Sequence, residues 1–208
     1  MSPPADQTPA DQTPETKGAQ TRRAILQAAI IRFGRDGFRA TSVADIARDA
    51  AVGGTVAYAY FPNKEALFLA AVDEDAAGVI EEGLATVLGE PDVRRWHDTL
   101  IFTLVDAVEH HPLARRLLAG LEPEVTVRVL EIPALNELRK ACTEMLRNGQ
   151  AGGTVRVDID PAAVGNGVIA LMLAVLMSVT QIGTEAAVTY SQDVAAVFEA
   201  ALTPPTTG

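Results

Sequence analysis

Between positions 41 and 64 the chain gathers hydroxyl, phenol and ammonium groups of the kind that bind phosphate: Thr41, Ser42, Thr55, Tyr58, Tyr60 and Lys64. Such groups hydrogen-bond the sugar-phosphate backbone and fix a protein's register on a duplex. Chemistry of other kinds is poorly provided for. The sequence has no phosphate-binding glycine loop, no nucleophile elbow and no zinc-ligand spacing, which argues against an enzyme. His110-His111-Pro112 does not suggest a metal site, because adjacent histidines on a helix point about 100° apart and no cysteine or third histidine lies close by. The readings are no cofactor, no metal and no catalytic residues.

The elements that must position these groups are helical. Thr21 is expected to cap a first helix running to Asp36, with Gly37 as its stop. Val43, Ile46, Ala47 and Ala50 recur at helical spacing in a second helix, and Ala51-Val52-Gly53 permits a tight turn. Gly54 to Phe61 forms a third, ended by Pro62, and Asn63 caps a long fourth helix reaching about Leu88. Helices two and three make a helix-turn-helix, whose second member is the one placed to enter a major groove. In that frame the Thr41 hydroxyl can cap the second helix and meet a phosphate. Lys64 opens the fourth helix where an anion is favoured. Tyr58 and Tyr60 reach backbone oxygens with their phenols, while Thr55 and Gly54 begin the reading helix.

Charge supports a divided molecule. The formal net charge is −10, yet residues 17–70 hold eight basic and four acidic residues, whereas residues 71–208 hold nine basic and twenty acidic. A basic module that can replace phosphate counterions is joined to an acidic body that turns away from a polyanion. Cys142 is the single cysteine, which excludes an internal disulfide. No basic region followed by an apolar stretch opens the chain, so no signal peptide is expected.

Over residues 21–70 the sequence resembles the tetracycline-repressor (TetR) family of bacterial transcriptional regulators. The likeness rests on Phe33, Gly37-Phe38, Thr41-Ser42, Asp45-Ile46-Ala47, Ala51-Val52 and Tyr58-Ala59-Tyr60-Phe61-Pro62-Asn63-Lys64-Glu65-Ala66-Leu67. The remainder agrees in helical architecture and, more weakly, at Asp158-Ile159-Asp160-Pro161. The resemblance implies a homodimeric repressor, cytoplasmic and on the nucleoid when bound to operator DNA, whose helical body binds a small molecule and then releases DNA. One departure matters. Where the family carries serine, a basic or polar residue and often histidine, this chain has Gly53, Gly54 and Ala59, with Val56 and Ala57 between. Its reading helix is poor in side chains that read bases by hydrogen bonds. Thymine methyl contacts and DNA shape would have to supply selectivity.

The fold class expected is therefore all-α. A repetitive arm, residues 1–20, precedes a helix-turn-helix domain over 21–68, a ligand-binding and dimerisation domain over 69–202, and a tail at 203–208. In the body, helices are expected over Pro91–His110, Pro112–Ala119, Glu122–Asn148 with a break at Pro133, Pro161–Ile182 and Thr184–Leu202. Asp73-Glu74-Asp75 and Glu81-Glu82 read as a solvated face, and Arg94-Arg95 and Arg115-Arg116 as surface. Trp96, Leu100, Leu104, Cys142, Met145 and Met172 either pack as plain core or line a cavity for an apolar or aromatic effector. Pro161 to Thr184 carries no charge and is long enough to span a bilayer, but its polar residues and lack of flanking lysine or arginine favour burial. The resemblance places a dimer interface there, with Val168, Leu171, Leu173, Val175, Leu176, Val194, Val197 and Phe198 as its apolar members. The alternative is a helical small-molecule-binding or scaffolding protein that has lost tight DNA recognition, set apart by positions 53 to 59.

Overall fold

The computed structural model describes residues 16–85, 96–124, 130–183 and 185–204, with the side chains of 96–101 and 186–192 outside that description. Among the described residues there are nine helices and no strand. They are α1 (Lys17–Ala40), α2 (Val43–Asp49), α3 (Gly54–Tyr60), α4 (Lys64–Ala85), α5 (Trp96–His110), α6 (Pro112–Leu118), α7 (Pro133–Ala151), α8 (Pro161–Ile182) and α9 (Glu185–Leu202).

Local chemistry sets most of these boundaries, though not always at the expected residue. α1 begins one turn early because Thr16 accepts a hydrogen bond from the Ala19 amide, while the Thr21 hydroxyl donates back to the Lys17 carbonyl. Gly37 does break α1, at φ +84°, a conformation costly for any residue with a Cβ; one further turn follows it. Asn63 caps α4 through the Ala66 amide. The expected end of that helix near Leu88 and Gly89, the Pro91 start, most of the 1–20 arm and the last residues of the tail lie outside the described residues.

The helix expected from Glu122 is corrected. Residues 122–124 and 130–131 are turn or irregular, Ile132 is extended at ψ 149°, and α7 starts at Pro133. Proline excludes helical geometry from the residue before it, so it starts a helix here where a break inside one was expected.

One hydrophobic cluster runs through the helix-turn-helix and on into the body. Ile25, Ile30 and Phe33 of α1, Ile46 of α2, Phe61 and the fully buried Leu67 and Phe68 share it with Leu113 and Leu117 of α6. Phe33 and Phe38 each meet the Phe68 ring edge-on, with centroids 5.0 Å apart, a favoured aromatic geometry. At the crossing point Gly34 lets α1 approach α6, since a Cβ there would lie 2.8 Å from Pro112 Cβ and 2.9 Å from its carbonyl carbon.

Asp73 and Asp75 are not solvent-facing. Asp75 is buried and accepts from the amides of Leu113 (2.9 Å) and Ala114 (2.8 Å), and Asp73 accepts from the Ala134 amide (2.8 Å). α6 and α7 both open on proline and neither has a side-chain cap of its own. Two carboxylates two residues apart on α4, and so on different sides of it, supply the missing acceptors and lock both helices to it. The apolar α8 packs against α5, α6, α7 and α9.

Candidate nucleic-acid interface and ligand cavity

The turn between α2 and α3 is closed by backbone bonds from Ala51 to Arg48 and from Val52 to Ala47. It presents α3 with Gly54, Thr55, Val56, Tyr58 and Ala59 exposed and only Ala57 buried. Tyr58 is 54% exposed and Val56 39%, so the outward face is one phenol, one hydroxyl and small apolar groups. Tyr60 is half-buried against the α1 core, its phenol beside Gly18 at the start of α1. The phenol of Tyr60 thus borders the α1 start, which also carries Lys17, Arg22 and Arg23.

Two of the expected phosphate ligands turn inward. Thr41 is 3% exposed and its hydroxyl donates to the Gly37 carbonyl at 2.8 Å. The cap of α2 is Ser42, which accepts from the Asp45 amide at 3.1 Å and donates to the Asp45 carboxylate at 2.6 Å. Lys64 donates to the carbonyls of Phe38 (2.8 Å) and Thr41 (3.0 Å), with its ammonium 4.4 Å from the Phe38 ring centre. Gly37 leaves the last α1 carbonyls without helical partners, and these two side chains satisfy them. Thr41 and Lys64 therefore hold the α1–α2 corner and do not face solvent as phosphate donors.

The basic excess of this region is also spent locally. Arg32 grips Asp49 through Nε (2.5 Å) and Nη2 (2.9 Å), Arg35 grips Asp36, and Arg48 pairs with Asp45. These hydrogen bonds hold the Asp36 and Asp49 carboxyls below the ordinary range; for Asp45 the Ser42 hydroxyl contributes first and Arg48 second. Arg22 lies over the Phe61 ring.

Below the helix-turn-helix lies a cavity of about 410 Å³. Leu104, Cys142, Met145 and Met172 all line it. Trp96 and Leu100 have side chains outside the described part. The sequence reading missed the contributions of α4 (Val72, Ile80), α6 (Ala114, Leu117, Leu118) and α7 (Leu135, Leu138). These carry the same apolar spacing as ordinary core, which gives no signal until the helices are assembled. Burial pushes the Cys142 thiol up, so it stays protonated and behaves as a small apolar group.

Four residues assigned from sequence to a dimer interface are on this same wall: Val168, Leu173, Leu176 and Phe198. Val175 is buried in the adjoining cluster and Val194 packs against it. Only Leu171 (41% exposed) and Val197 (54%) point outward. An all-apolar helix does not disclose which stripe faces its own chain. In α8 the inner stripe is Ile169, Met172, Val175, Leu176 and Val179, leaving an outer one of Ala163, Gly167, Ala170, Leu171 and Ala174.

α6 joins the two regions. Ala114, Leu117 and Leu118 face the cavity, while Leu113 is fully buried against α1. Arg116, expected at the surface, donates from Nε to the buried Glu122 at 2.7 Å, and Glu122 also accepts from the Phe38 amide at 3.1 Å. Arg39 pairs with Glu124 beside it.

Residues 25–71 match the model of the bacterial regulatory proteins of the tetR family. The helix-turn-helix is that of the TetR family. Across the whole chain the similarity is one of fold. A TetR-family transcriptional regulator of Mesorhizobium loti superposes with a TM-score of 0.69 at 21% identity, covering 91% of this chain and 100% of that one. One from Rhodococcus sp. gives 0.67 at 17%, covering 89% and 100%. The fatty acid degradation regulator FadR from Bacillus halodurans gives 0.65 at 19%, covering 88% and 96%. Among curated proteins, none matches the chain in sequence. The TetR fold accounts for the order of elements described above: a helix-turn-helix of α2 and α3, the long helix α4, and a helical body built around the cavity.

Proposed function

We propose that this chain is a homodimeric transcriptional repressor, released from operator DNA by a small apolar molecule held in the 410 Å³ cavity. The observation that carries the reading is α6, a single helix with one face on the cavity and the other on α1. A ligand that favours a displaced α6 acts on the helix-turn-helix in the same movement, which is the differential contact that any ligand-driven shift requires. DNA would be met by α3, led by Thr55 and Tyr58, with Ser42, Gly54 and Tyr60 beside it and the α1 start on the phosphates. The second copy would cover the outer stripe of α8 with the Val197 side of α9. Though α8 is long and apolar enough to cross a membrane, with a mean hydropathy of 2.1, its four helix neighbours and its inner stripe are those of a packed body helix, and a partner helix would supply the apolar surroundings its outer stripe lacks.

The test is a salt-controlled anisotropy titration of duplexes drawn from the DNA flanking the gene, against scrambled duplexes of equal length, with sedimentation measured in parallel. Preference for one flanking duplex by about tenfold or more, and a dimer bound to it, are expected. Equal affinity for scrambled and flanking DNA at every salt would overturn the repressor reading. It would favour a ligand-binding helical protein, consistent with the exposed Gly54, Val56 and Ala59 on α3.

A further inference from the structure

The outward face of α3 is lined with methyl groups. Ala57 is the one buried residue of this helix. At about 100° per residue, Thr55 and Ala59, two places before and after it, point most directly away from the core. Val56 and Tyr58 flank them, and all four are exposed. Gly53 and Gly54 leave the head of the helix open: a Cβ at Gly54 would meet nothing within 4 Å, and one at Gly53 only the Val56 Cγ2, at 3.7 Å. From Gly53 to Phe61 no side chain is an amide, carboxylate, guanidinium, ammonium or imidazole. Those are the groups that read guanine, adenine and cytosine edges by hydrogen bonds. The Thr55 hydroxyl and the Tyr58 phenol remain, but a hydroxyl both donates and accepts, so it discriminates little. Polar groups beside α3 are held within the chain, Ser42 and Arg48 by the Asp45 carboxylate and Lys64 by two carbonyls.

Selective binding through such a face needs a base feature that is not a hydrogen-bonding group, and in the major groove that feature is the thymine C5-methyl. We infer that α3 reads thymine methyls, with the methyl groups of Thr55, Val56 and Ala59 as the reading surface. The DNA it selects carries thymines under α3, at positions where a hydrogen-bonding helix would select guanine or adenine. This inference rests on the proposed DNA-binding role and names the base feature read by that site. Burying one methyl-sized apolar group favours binding about fourfold, so two contacted thymines supply a preference of roughly tenfold or more. The methyl can be removed without touching base pairing, because uracil pairs with adenine as thymine does.

The experiment selects tight binders to the full chain from a library of random-sequence duplexes, then makes the most enriched duplex in two forms, one with thymine and one with deoxyuridine throughout. Both are titrated by anisotropy at fixed salt. Wild type should bind the uracil form roughly tenfold more weakly, the loss of about two methyl contacts. Val56→Ala and Thr55→Ser are exposed substitutions that remove methyl groups, and the serine keeps the hydroxyl. Each should narrow the gap between the two forms, and the double variant should bind them within about twofold of each other. Equal binding of the two forms by wild type would overturn the methyl reading and leave DNA binding intact. An undiminished uracil penalty in the double variant would overturn it too, because the methyls would then act through the stiffness of the DNA. Selection that enriches no sequence at any salt would instead remove the DNA-binding role, and this inference with it.

Discussion

Replacing Lys64 with methionine separates two roles for one ammonium. Position 64 at the head of α4 suits a phosphate ligand by sequence, but the structure spends the ammonium on the carbonyls of Phe38 and Thr41 and on the Phe38 ring. Each hydrogen bond from a charged donor contributes about 1 kcal/mol once discounted for the partial exposure of Lys64, and the ring contact adds roughly 0.5–1 kcal/mol. The variant should therefore lose about 2–3 kcal/mol, a fall in melting temperature of roughly 5–10 °C for a chain of this size. Because no phosphate contact is removed, the slope of log affinity against log salt on any duplex should match the wild type, measured well below the melting temperature. A phosphate ligand would behave in the opposite way, with stability nearly unchanged and the slope flattened by about one. That second pattern would refute the scaffold role.

Arginine at Leu171 or Val197, both outward-facing, should dissociate a dimer that stays helical by circular dichroism, whereas arginine at the cavity-facing Leu176 should unfold the body. Dimers persisting in both surface variants would place the interface elsewhere. Glu122→Ala should cost about 2–3 kcal/mol, since it leaves a half-buried guanidinium and the Phe38 amide short of an acceptor; a melting curve identical to wild type would count against this link. Asp36, Asp45 and Asp49 have carboxyls held below their ordinary range, so their contribution to stability is complete above about pH 4 and is lost as pH falls through the lowered values. Acid titration followed by circular dichroism should show the Asp49→Asn variant less sensitive below pH 4 than the wild type, and equal sensitivity would argue against the pairing with Arg32.

What the sequence discloses about this protein depends on how far apart the partners are. Gly37 as a break, the α2–α3 turn and the Asn63 cap were legible because each is decided within a few residues. Ser42 as the cap in place of Thr41 was nearly legible: both residues suit the position, and only the chain's path after Gly37 chooses. Asp75 and Lys64 were misread because their partners are 38 and 26 residues away. A sequence signal for Asp73 and Asp75 did exist. Two helices opening on proline without a cap of their own require an acceptor from elsewhere, and acidic residues on α4 are placed to give it. The stripe of α8 that faces inward carries no such signal, because leucine and valine on either side of a helix are chemically alike.

The link from α6 to the α1–α2 corner bears on how much work an effector must do. A hundredfold change in DNA affinity corresponds to about 2.7 kcal/mol. The buried Glu122 contacts to Arg116 and the Phe38 amide are estimated above at about the same size. On the proposed function, a ligand pressing on Leu117 and Leu118 need not unfold or rotate the helix-turn-helix as a body. Shifting α6 far enough to lengthen one carboxylate's hydrogen bonds frees the Phe38 amide, in the same corner that Thr41 and Lys64 hold from its carbonyl side. The corner is therefore fixed from two directions, and only one of them touches the cavity. Weakening the Lys64 side should make DNA binding more sensitive to ligand, and weakening the Glu122 side should make it less so, because there the connection itself is gone. Measuring effector-driven release in Lys64→Met and Glu122→Ala side by side tests this, and a shift of both variants in the same direction would show that the corner is not where the two sites meet.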